Sequence, residues 1–94
     1  MALHPQIAAF AAQLDDLSRL LRAQGVRPWA DRIDLIQRAV ADSNYAGVSR
    51  FLDMFDGEGG FAALTLADEA ADATLSQCRT AALAMAQRLA REEG

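Results

Sequence analysis

The chain has 94 residues, 52% of them hydrophobic and 23% charged, with thirteen acidic and nine basic side chains and a formal net charge of −4. That length suits one domain with a core of its own, and that composition excludes intrinsic disorder. The negative balance argues against general binding to nucleic acid, whose affinity comes from cationic side chains that release counterions.

Apolar residues recur at helical spacing almost throughout. Ile7, Phe10, Leu14, Leu17 and Leu21 form one stripe. Pro5 suits a first turn and Gly25 a left-handed terminator, so the first helix is expected from Pro5 to Gln24. Asp15 and Arg19 stand four apart in the favourable acid-first order. Pro28 can open a second helix, with Trp29, Ile33, Ile36 and Val40 on its inner stripe and Asp31, Asp34 and Arg38 mainly on other faces; it should end near Ala41 or Asp42. Asp42-Ser43-Asn44 is rich in capping residues. After it, Tyr45, Val48, Phe51 or Leu52, and Phe55 give a shorter third helix, weakened by Gly47 and stopped at Gly57.

Asp56-Gly57-Glu58-Gly59-Gly60 is the one glycine-dense stretch. Phe61-Ala62-Ala63-Leu64 reads as a short turn or helical fragment that tucks its apolar residues beneath this loop. Thr65-Leu66-Ala67-Asp68 matches a capping box. The fourth helix is then expected from Leu66 to Arg91, with Leu66, Ala70, Thr74, Cys78, Ala81, Met85 and Leu89 along its inner face. Residues 1–94 thus read as a single all-α domain, an antiparallel four-helix bundle with a glycine-rich loop between the third and fourth helices.

No constellation for chemistry stands out. His4 is the only histidine and has no partner at metal-ligand spacing. Cys78 sits among apolar neighbours, as an inert thiol would. The glycine loop lacks the lysine and the spacing of a phosphate loop, and Asp53, Asp56 and Glu58 do not follow the alternation of a calcium loop. The chain is therefore expected to be no enzyme and to use neither metal nor cofactor. A small-molecule pocket lined by Trp29, Tyr45 and Cys78 is the weaker alternative, since such residues more often fill a core. A single cysteine, no basic leader segment and no apolar run long enough to span a bilayer lead to a cytoplasmic location with no membrane contact.

Charge segregation is the feature with functional content. Asp53, Asp56, Glu58, Asp68, Glu69 and Asp72 lie in a stretch that reaches Cys78 without one arginine. Residues 1–52 carry five acids against six arginines, and residues 79–94 two against three, so the whole negative balance arises there. Such a patch could steer a basic protein toward the chain, with Phe61 or Leu64 as an apolar anchor if either is exposed.

Trp29, the run Phe51-Leu52-Asp53-Met54-Phe55, the loop Gly57-Glu58-Gly59-Gly60-Phe61 and Leu64 together resemble a family of small bacterial helical proteins. In that family a tryptophan opens the second helix and a glycine-rich loop leads into a long last one. The likeness spans about Leu14 to Leu89. Families of this style resemble immunity proteins of toxin systems. The resemblance implies a non-enzymatic inhibitor that binds and neutralises a basic bacterial toxin or effector. A homo-oligomeric assembly module, or a small subunit of a complex, is the alternative, and the oligomeric state stays open.

Overall fold

A computed structural model describes residues 5–56 and 60–93. Four α-helices make up most of it: α1 (Pro5–Ala23), α2 (Arg27–Ala41), α3 (Ala46–Asp53) and α4 (Glu69–Glu93). A 3₁₀ turn, Phe61–Ala63, precedes α4. The helices pack cyclically, α1 on α2, α2 on α3, α3 on α4 and α4 back on α1. At about 1.5 Å per residue, α4 alone accounts for the long dimension of the 39 × 27 × 20 Å body.

The first stripe falls where expected. Ile7, Phe10, Leu14, Leu17 and Leu21 are all buried, and α1 ends in a Schellman motif. Gly25 adopts φ +78°, its N–H donates to the Arg22 carbonyl, and the Val26 N–H donates to that of Leu21. The turn after α2 repeats this pattern with Ser43 in the left-handed region at φ 61°, where the Ser43 and Asn44 N–H groups donate to the carbonyls of Val40 and Ala39. On α2, Ala30, Ile33, Ile36 and Val40 are buried, while Trp29 is half-buried.

Gly47 has a reason beyond weakening α3. A Cβ there would lie 2.9 Å from Val40 Cγ2 and 3.1 Å from the Ile36 carbonyl oxygen. The missing side chain is what lets α3 close onto α2. Helix α3 then stops at Asp53, four residues before the glycine expected to stop it. Met54, Phe55 and Asp56 continue in tight turns, with Phe55 and Asp56 donating to the carbonyls of Leu52 and Asp53.

Most of the glycine-rich loop lies outside the described residues, but both its ends are fixed. The Phe61 N–H donates to the Met54 carbonyl at 2.6 Å. A Cβ on Gly60 would meet the backbone of Phe55 and Asp56 at 3.0 Å. Phe61, at 0% exposure, therefore drops into the core. There it packs against Phe55 and Trp29 with ring centroids 5.6 and 5.1 Å away. Phe51 lies 5.3 Å from Phe10 and joins the same aromatic group.

Two expectations for the last helix are corrected. It begins at Glu69, not Leu66, because Asp68 and not Thr65 supplies the cap: its Oδ2 accepts the Ala71 N–H at 2.8 Å. Asp72 reaches back and accepts the Leu66 N–H at 2.8 Å. The buried face is also rotated. It consists of Ala71, Leu75, Ala82, Ala86 and Leu89, whereas Ala70, Thr74 and Ala81 are exposed. No described helix is long and apolar enough to cross a membrane.

Candidate functional site

The acidic segment divides once folded. Asp53 and Asp56 are exposed at the end of α3 and just beyond it, and Glu69 is exposed in the first turn of α4. Asp68 and Asp72 are tied to backbone N–H groups at the start of α4, where they also suit the helix dipole. Glu58 lies outside the described residues. None of the five described acids pairs with an arginine among the described residues.

Phe61, expected as an anchor if exposed, fails that condition, being wholly inside; Leu64 is half-buried. What holds the segment in place is Arg79, the first arginine after it. Its Nη1 donates to the carbonyl oxygens of Phe61 at 3.0 Å and Leu64 at 2.9 Å, and its guanidinium lies 5.8 Å from the Phe61 ring centre. A guanidinium presents several N–H groups in a fixed plane, so one side chain can satisfy both carbonyls of the 3₁₀ turn.

A polar cluster between α1 and α2 escaped the sequence reading. Ser18, the one buried polar residue of the described core, donates to Asp34 Oδ1 at 2.5 Å. Arg22 bonds Asp31 Oδ1 at 2.8 Å and also Asp34 Oδ2. The Ser18 hydroxyl first, and the Arg22 guanidinium next, hold the Asp34 carboxyl below the usual carboxylate range. Arg22 is raised in turn by Asp34 and Asp31. Ser18 and Arg22 are four apart on α1, and Asp31 and Asp34 three apart on α2. That spacing is the available signal, but it acquires meaning only once the two helices are known to face each other.

Leu35 is the second omission. It lies outside the α2 stripe and is 59% exposed. It borders two shallow grooves of about 280 and 270 Å³. The first is lined by Arg32, Leu35, Ile36, Arg50, Asp53 and Met54. The second is lined by Arg22, Asp31, Asp34, Leu35 and Arg38. Arg32 lies over the Trp29 ring at 4.7 Å. Trp29, Tyr45 and Cys78 line neither groove; they pack partly buried against the core.

The described residues contain no group of three or more histidine, cysteine or acidic side chains placed to hold a metal. Exposed carboxylates thus lie at the end of α3, just beyond it and in the first turn of α4, and an apolar, arginine-flanked groove lies between α2 and α3. Compared with protein-family models, with curated proteins and with solved structures, the chain finds no match.

Proposed function

We propose that this chain is a non-enzymatic protein-binding domain, an immunity-type inhibitor that engages a basic toxin or effector in the bacterial cytoplasm. One observation carries the reading: Asp53, Asp56 and Glu69 are exposed, with no arginine paired to them among the described residues. Carboxylates left free in this way keep their charge for a partner, whereas Asp15, Asp31 and Asp34 are already paired. In an antiparallel bundle, the end of α3 and the start of α4 share one end of the molecule, with Glu58 on the connection between them. Asp68 and Asp72 add field there while capping the helix.

The test begins with affinity capture from the source organism's lysate and identification of a basic partner. Stopped-flow association is then followed with the purified partner and the Asp53→Lys/Asp56→Lys/Glu69→Lys variant. Association slows by about tenfold or more and loses most of its salt dependence. An unchanged association rate sinks the steering role. A homo-oligomeric module is the second reading, favoured by the exposure of Leu35; a constant monomeric mass across a wide dilution range removes it.

A further inference from the structure

The groove between α2 and α3 combines an apolar floor with a basic rim. Ile36 and Met54 are core residues, 4% and 3% exposed, and present only their outer edges, while Leu35 stands up beside them. Arg32 comes from α2 and Arg50 from α3, both exposed. Neither pairs with an acid among the described residues, in contrast to Arg19 and Arg22 on the adjoining helix. Stacking on Trp29 orients Arg32 and leaves the N–H edge of a guanidinium free for a carboxylate. Arg38, across Leu35 in the second groove, is likewise exposed and makes no direct ion pair among the described residues; it acts on Asp34 only through its charge, while Arg22 engages Asp31 and Asp34 directly.

We propose that this groove docks an acidic amphipathic helix of a partner protein. An apolar side chain of that helix rests on Leu35, Ile36 and Met54, and carboxylates on its flanking turns meet Arg32 and Arg50, with Arg38 continuing the basic line. The sign follows from the lining: two unpaired guanidiniums face one carboxylate, Asp53, on a protein that is negative as a whole. A second copy is the poorer occupant. A self-complementary contact at this face would set the same unpaired arginines on both sides of it, whereas a separate partner can offer carboxylates alone. The inference does not rest on the inhibitor reading: it uses the opposite charge, and Asp53 alone is common to the two surfaces.

The probe is a display library of roughly 15-residue helical peptides, about four turns, with leucine fixed at i, i+4 and i+7 and the polar positions randomised. Selection on the full chain enriches aspartate and glutamate beside the leucines. A selected peptide shifts the amide resonances of Arg32, Leu35, Ile36, Arg50 and Met54. It binds at least about tenfold more weakly to Leu35→Ser and to Arg50→Glu, a change of about 1.4 kcal/mol. Both substitutions sit at exposed positions, and far-ultraviolet circular dichroism confirms that the fold is kept. The proposal is overturned if nothing is enriched, if basic or neutral peptides bind this groove instead, or if both substitutions leave affinity unchanged. A solution mass that halves on Leu35→Ser also overturns it, because a second copy would then be the occupant.

Discussion

Asp34 shows how a single side chain acquires a property that its place in the sequence does not announce. It sits on the flank of α2, yet Ser18 and Arg22 reach it from α1. Both partners favour the ionised carboxylate, so its folded-state pKa lies below the unfolded value of about 3.9. A depressed folded pKa gives stability that is fully present above the unfolded value and lost as pH falls through the folded one. The loss therefore belongs below about pH 4. Asp34→Asn is expected to melt below the parent at pH 7, where the parent holds a charged acceptor and the variant a neutral one. That gap should narrow as both proteins are taken down toward about pH 2.5, with the parent losing more than the variant. Thermal melts across that range decide it: a gap of constant size would mean that the Asp34 charge contributes nothing. Arg22 stays protonated throughout this window, so the titration belongs to the acid.

At the scale of the element, the stripes of α1 and α2 could be read because large apolar residues mark them and polar ones fill the spaces between. Helix α4 could not be phased in the same way. Alanine occurs all around it, so apolar marks fall on every face, and a ladder drawn from Leu66 begins outside the helix. Leu75 and Leu89, its two fully buried large residues, carry the true phase. The cap was displaced for a related reason. Thr65 and Asp68 satisfy the capping-box spacing, but the carboxylate of Asp68 can cap α4 by itself. Gly47 was legible as a glycine in a helix and illegible as a contact, since its reason lies on another element. In an ordinary helix interior, replacing glycine by alanine stabilises by roughly 0.5–1 kcal/mol. Here the added methyl would press on Val40, itself buried and stiffly β-branched, and on the Ile36 backbone. Gly47→Ala is accordingly expected to destabilise by about 1–3 kcal/mol, as overpacking does. A urea titration would show the midpoint falling with little change in slope. A raised midpoint would mean that α3 can move away from α2 at no cost.

Across the whole molecule, the charge imbalance was visible in the sequence, but its division between caps and free carboxylates required the fold. The sequence allowed Phe61 two places, tucked inward or exposed as an anchor, and only the fold shows that it is wholly buried. Its surroundings make it a junction of the entire chain. Trp29 of α2 and Phe51 and Phe55 beside it bring two helices and their flank onto one ring, and Arg79 of α4 holds the turn that carries it. Removing such a ring costs about 3–5 kcal/mol. A chain of this size has roughly 5–14 kcal/mol in total, so Phe61→Ala is expected to lose a large share of its stability. The melting temperature should fall by more than about 10 °C. Trp29 offers a built-in reporter, because it stacks on Phe61 while circular dichroism follows all four helices. If the core is one cooperative body, tryptophan emission and helicity change together in the parent and in the variant. Emission that shifts well before helicity would instead show that the 3₁₀ turn and its loop open as a separate unit, with Phe61 a local latch and not the shared centre.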